Sequence, residues 1–257
     1  MQIGAMQADG HGDDAAVMND GAGRAQFRPR FMMRAVMIFG TLALLSGAIS
    51  LGGKWFGQTI ALAGHSSDTS LHEIVIGNDV LNIPANMIRF EASRRDGIAE
   101  RVDLYLRWPQ MDGYSDAARD AFNHADGDKS ILFLAFEPRA MSRDMSGRYE
   151  PIYRKLIDAT GRPGPGGLSV HRFSENSGYV DEVLVVEDAA KDEPFVMRCL
   201  SGLAARESLA PCERDIHLTE GLSITYRMPA GLAGEWRQIE ARVRQVASNL
   251  MKMDAAD

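Results

Sequence analysis

Two cysteines, four arginines in one tract and six scattered histidines are the residues whose chemistry can be argued from this chain. Cys199 and Cys212 each fall in an apolar, strand-like run, and the segment between them holds Gly202 and Pro211. They lack the Cys-x-x-Cys spacing of a redox pair, so they are expected to form a structural disulfide if the domain is exported to an oxidising compartment. Arg139, Arg143, Arg148 and Arg154 lie close in sequence, with Ser142 and Ser146 between them. Guanidinium forks and hydroxyls suit a phosphate, a carboxylate or an acidic partner, for example a lipid headgroup or a cell-wall fragment. Asp144 and Glu150 are also placed to neutralise those arginines within a solvated network.

Other chemistry-bearing stretches fail on spacing. Gly161–Gly167 reads GRPGPGG, without the Gly-Lys-Ser/Thr ending of a phosphate loop and with prolines where amide donors are needed. The run 123–128 (NHADGD) has oxygen ligands but not the calcium-loop order. His11, His65, His72, His124, His171 and His217 show no metal-binding spacing, so no metal site and no cofactor are expected. Ser169 and Ser223 follow Gly-Leu but lack the second Gly of a nucleophile elbow. No catalytic centre is nominated.

The elements that must carry these residues read mainly as strands. Residues 73–84 form two short apolar runs around Gly77-Asn78-Asp79, a hairpin signal. Residues 101–108 alternate, with Val102, Leu104, Leu106 and Trp108 on one face and Arg101, Asp103, Tyr105 and Arg107 on the other, wetted one. Residues 130–136 are apolar throughout and predict a strand covered on both faces. Residues 168–173 and 179–187 flank turn residues 175–178, and 195–200, 212–218 and 222–228 predict three further antiparallel strands.

Short helices are expected at 116–123, capped by Ser115, and near 150–157 with Pro151 in the first turn. The longest, 234–251, carries Trp236, Ile239, Val243, Val246 and Leu250 on one stripe and Arg237, Glu240, Arg242, Arg244 and Gln245 on the other face. Strands in series with helices inserted and appended predict an α+β fold with a mainly antiparallel sheet and a C-terminal amphipathic helix.

Residues 35–53 (AVMIFGTLALLSGAISLGG) contain no charge. At about 1.5 Å per residue such a helix spans roughly 28 Å, the hydrocarbon thickness of a bilayer. Arg24, Arg28, Arg30 and Arg34 precede it and Lys54 alone follows closely, so the N-terminus is expected inside and the rest outside. The organisation expected is a disordered cytoplasmic tail (1–34), a signal anchor in the inner membrane (35–53), a juxtamembrane linker (54–70), a periplasmic α+β domain (71–251) and a short tail (252–257). Cleavage after Ala61-Leu62-Ala63 is the alternative, and it exports the same domain. Small-residue pairs Ser46/Ser50 and Ala48/Gly52 offer weak self-association through the span.

The whole chain is 257 residues long with a net charge of -7, which argues against a nucleic-acid partner. Residues 76–90, 101–109, 141–153 and 199–217 resemble an uncharacterised family of single-pass envelope proteins of Gram-negative bacteria, the likeness covering about 71–237. That resemblance implies location and no activity. The function expected is non-catalytic binding or scaffolding among other envelope proteins. An envelope hydrolase or transferase, or a ligand-sensing subunit, are the alternatives.

Overall fold

The structure, a computed structural model, describes residues 33–34, 36–49, 64–187 and 193–252. The chain separates into two units, Met1–Gln58 and Thr59–Asp257. In the first, residues 36–49 form helix α1, with every side chain exposed. Among the described residues no helix is long and apolar enough to cross a membrane. The expected anchor at 35–53 extends beyond those residues, and the expected tails at 1–34 and 252–257 lie almost wholly outside them.

The second unit is α+β. Strands β1 (Leu71–Ile76) and β2 (Asp79–Pro84) make the expected hairpin, Ile76 pairing with Asp79 across Gly77-Asn78. Gly77 takes φ 61° there, the left-handed region that a two-residue hairpin turn demands. Alternation buries Ile74, Ile76, Leu81 and Ile83 on one side. A two-residue strand, β3 (Gly97–Ile98), pairs parallel with β1 to complete a three-stranded sheet.

The main sheet has eight strands in the order β4-β5-β11-β10-β9-β8-β7-β6. These are β4 (Val102–Arg107), β5 (Ile131–Pro138), β6 (Arg162–Pro163), β7 (Leu168–Arg172), β8 (Glu182–Glu187), β9 (Val196–Leu200), β10 (Cys212–His217) and β11 (Leu222–Met228). Every neighbouring pair is antiparallel. Period-two patterning assigns the faces. Val102, Leu104, Leu106, Leu132, Leu134, Phe136, Ile216, Ile224 and Tyr226 all enter one core with residues of the small sheet and of α4 (Trp236–Leu250). The small sheet and α4 therefore close one face of the main sheet. Met251 bridges to Leu81, and Lys252 N–H donates to Val80 O at 2.9 Å, tying the end of the helix to β2.

The helices differ from expectation in instructive ways. Residues 116–122 form a 3-10 turn, Asp116–Ala118, running into α2 (Arg119–Phe122), and Ser115 makes no capping bond with its side chain. Near Pro151 there is only a 3-10 turn, Tyr153–Lys155. A helix α3 (Gly202–Glu207) sits between the cysteines. On α4 the buried stripe is Trp236, Ile239, Val243, Ala247 and Leu250, with Val246 half-buried. Glu240, expected on the wet face, is turned inward.

That turn has a chemical cause. Arg214, on the closed face of β10 and 4% exposed, needs a buried counter-charge, and Glu240 supplies it at 2.8 Å. Arg214 Nη1 also donates to Val196 O at 2.7 Å, and Tyr226 Oη donates to Glu240 at 2.6 Å. Burial alone would raise the Glu240 pKa, but the bonds from Arg214 and Tyr226 and the charges of Arg214 and Arg244 outweigh it and hold it below the usual range. Burial, reinforced by Glu240, keeps the Tyr226 hydroxyl protonated far above its ordinary range.

Candidate functional site

The other face of the main sheet is only partly covered. At the β4–β5 edge, Tyr105 and Ile131 are buried beneath Tyr114, Ala118, Ala121 and Phe122. This overturns the expectation that Tyr105 meets water. At the β8–β9 end, Leu184, Val186 and Val196 are buried beneath Met145, Tyr149 and Tyr153 from the arginine tract. Between these two small cores the sheet lies open as a groove of about 660 Å³.

Register sets its floor. Phe133 pairs with Arg227, Arg227 with Glu213, and Glu213 with Arg198, giving one row. Ala135 pairs with both Asp103 and Thr225, and Thr225 with Asp215, giving a second. Most of these charges neutralise one another. Arg101 bonds Asp103 at 2.8 Å and Glu137 at 3.0 Å, and Thr225 Oγ1 donates to Glu137 at 3.0 Å. Arg198 reaches Glu213 at 2.9 Å and Glu182 at 3.2 Å, and Arg227 approaches Glu213 at 3.7 Å.

Two charges in the groove have no charged partner among the described residues. The Arg89 guanidinium lies 4.8 Å from the Phe133 ring centroid and 5.0 Å from that of Phe90. Glu207 ends α3 beside Ser208, exposed Leu209 and Ala210, which border the groove. The groove thus offers one cation on an aromatic ring, one anion and exposed Leu209 at its border.

The arginine tract does not converge on a single anion. Arg139 donates to the carbonyls of Met141 and Ser142 at 3.2 and 2.6 Å, shaping its own loop. Arg148 turns inward, 12% exposed, and pairs with Asp215 on β10. Burial raises the Asp215 carboxyl pKa even against that arginine. Arg154 pairs with Glu150, as the sequence allowed. Arg143 makes only a 3.5 Å contact to Gly147 O and has no carboxylate partner among the described residues. Arg143, Arg148, Ser142, Met141, Pro151 and Ile152 line a shallow cavity of about 280 Å³.

Cys199 and Cys212 are directly opposed on β9 and β10 and form the expected disulfide. It lies in the main core, across the sheet from the groove floor. Among the described residues no group of three or more His, Cys, Asp or Glu side chains is placed to hold a metal ion.

Two histidines gain structural partners that spacing did not foretell. His65 lies within the 54–70 segment read as a linker, yet its ring stacks on Tyr114 at 4.7 Å and on Tyr105 at 5.3 Å. Its nitrogens meet Tyr105 Oη at 3.2 Å and Asn123 Oδ1 at 3.3 Å, while Arg94 holds the Gly64 carbonyl at 2.7 Å. Burial lowers the His65 pKa against the bond to Asn123, and the charges of Arg94 and His124 lower it further. His171 Nε2 lies 3.0 Å from Ser169 Oγ, and its Nδ1 lies 2.9 Å from Asp158 O. That resembles a nucleophile–base pair, but a Cβ on Gly161 would lie 2.5 Å from Nε2. The Gly161 backbone packs against the imidazole, and the pair straps residues 158–161 to β7.

No protein-family profile matches the chain, and no curated protein does. Among solved structures it is similar to Smlt3025, an immunity protein of the Stenotrophomonas maltophilia type IV secretion system, at 12% identity and a TM-score of 0.48, over 74% of this chain and 96% of that one. It is also similar to FrpD, an iron-regulated outer membrane lipoprotein of Neisseria meningitidis, at 11% identity and a TM-score of 0.43, over 73% and 97%. At these values neither likeness carries a functional argument.

Proposed function

We propose that this chain is a membrane-anchored, non-catalytic binding or scaffolding protein of the bacterial envelope, and that its partner is a protein seated in the open groove of the main sheet. The groove carries the reading. It is bounded by two small cores, its charges are largely spent on one another, and Arg89 and Glu207 remain for an incoming acidic and basic residue. Pairing of opposite charges across such a surface sets partner choice and register more than raw affinity. The uncharged run 35–53 behind four arginines supports anchoring, and a bridge between the only two cysteines supports an oxidising compartment. Tethering raises the effective concentration of the groove toward other envelope proteins.

The test is site-specific photo-crosslinking of the full chain in native membranes. A photoreactive residue at Phe133 or Leu209 should yield one discrete adduct, absent when placed at exposed Val180 and lost on Arg89→Glu. Equal labelling at Val180, or no adduct from either groove position, overturns the groove as the partner site. Non-reducing peptide mapping of the same membranes reports the Cys199–Cys212 linkage and the mature N-terminus together.

A further inference from the structure

We infer that the surface around Met141, Arg143, Ile152 and Lys155 docks on a bilayer rich in anionic phospholipid, a contact that rests on the anchoring proposed above. Met141 is 53% exposed and Ile152 38% exposed, with exposed Pro151 beside them. Folding leaves these apolar groups in water although Met145, Tyr149 and Tyr153, from the same tract, are fully used in packing. Arg139 stabilises this arrangement by holding the carbonyls of Met141 and Ser142.

Two bases without a carboxylate partner border this apolar collar. Arg143 and Lys155 have no carboxylate partner among the described residues, and Lys155 stands one 3-10 turn past Ile152, its N–H donating to Ile152 O at 3.2 Å. Of the nearest acids, Glu150 pairs with Arg154, while half-buried Asp144 accepts from Gly147 N–H at 3.0 Å and keeps its charge. Arg143 and Ser142 line the 280 Å³ cavity with Arg148, whose own charge is met by Asp215, so the Arg143 guanidinium is the one left for a phosphodiester headgroup while Met141, Pro151 and Ile152 meet the acyl boundary. An anionic membrane gains from both.

Tethering makes a weak surface sufficient. The ten residues between an anchor ending at residue 53 and Gly64 reach at most about 40 Å when fully extended, so docking is intramolecular. Each unpaired base near an anionic leaflet favours contact roughly five-fold, so Arg143 and Lys155 together shift the docked-to-undocked ratio roughly 30-fold.

The experiment uses the full chain carrying Ala140→Cys, labelled with an environment-sensitive fluorophore, in nanodiscs of phosphatidylcholine alone or with about one-third phosphatidylglycerol. Expected is a blue shift, with quenching by spin-labelled lipid, only in the anionic discs. It should be abolished by high salt and by Arg143→Gln with Lys155→Gln. Equal signal in both lipids, or none in either, overturns the inference, as does retention of the signal in the double variant. A response of the detergent-solubilised chain to millimolar phosphate alone would assign the cavity to free anions and overturn lipid docking. The groove crosslink and an unchanged melting temperature show that the variants fold. Resistance to carbonate extraction tests the anchor separately, so loss of the docking signal with extraction resistance intact sinks this inference alone.

Discussion

Replacing Glu240 with Leu should be severely destabilising although it places an apolar residue on a helix. The structure shows why the cost is asymmetric. Glu240 accepts from Arg214 at 2.8 and 3.3 Å, from Tyr226 at 2.6 Å and from Arg244 at 2.7 and 3.1 Å. Its removal leaves the Arg214 guanidinium, 4% exposed, with Val196 O at 2.7 Å, the Phe195 ring at 4.5 Å and the longer-range charge of Asp144. Stranding a buried charge this way costs about 3–5 kcal/mol. For a domain of this size that lowers the melting temperature by roughly 6–20 °C. Arg244, the exposed partner of Glu240, is a different case, since Arg244→Ala removes a solvent-screened bridge worth about 0–1 kcal/mol. Replacing both buried members, Arg214→Met with Glu240→Leu, removes the stranded charge and should recover part of the loss. Thermal unfolding of the disulfide-intact chain by circular dichroism measures these three variants and Arg214→Met alone. If Glu240→Leu melts no lower than Arg244→Ala, or if the double variant is the sum of its singles, the argument from a buried, mutually dependent pair fails.

Other outcomes follow from the same geometry. Changing Cys199 and Cys212 together to Ser should cost about 3 kcal/mol for a loop of this length, read from denaturant midpoints with and without reductant. Because burial lowers the His65 pKa, the folded state binds fewer protons than the unfolded one, so His65's contribution is complete above the ordinary value of 6.5 and is lost as pH falls below it. His65→Gln should flatten the decline in melting temperature between neutral and mildly acidic pH, and an unaltered decline would remove His65 from the account. Gly113→Ala drives a Cβ to 2.5 Å from the Asn86 carbonyl oxygen, which only a backbone shift relieves, so a loss of at least about 1–3 kcal/mol is expected in the same assay.

The strands were legible because period two survives wherever one face is buried. The hairpin at Gly77-Asn78 and the alternation of Val102, Leu104 and Leu106 needed nothing beyond local pattern. Tyr105 shows where that pattern stops. It lies on the side of β4 that carries Asp103 and Arg107, and only a distant segment, Tyr114 to Phe122, decides that it is dry. Glu240 was misplaced for the same reason. A helical wheel sees an acid among arginines on a polar face, whereas the charge that draws it inward sits on β10, and Tyr226 Oη arrives from β11.

The candidate site was hidden more deeply than the core, because its cause is subtraction. Arg89, Arg101 and Arg227 look alike as residues in a sequence, and so do Glu137, Glu207 and Glu213. Register then pairs Arg101 with Asp103 and Glu137, and sets Glu213 between Arg198 and Arg227, so Arg89 and Glu207 become the charges left over. The arginine tract works the same way in reverse. Its four arginines suggested one anion fork, but Asp215, Glu150 and backbone carbonyls take three of them and leave Arg143 beside exposed Met141 and Ile152. On a surface so rich in ion pairs, recognition belongs to the charges that folding fails to neutralise, and those can be identified only after every pairing has been assigned.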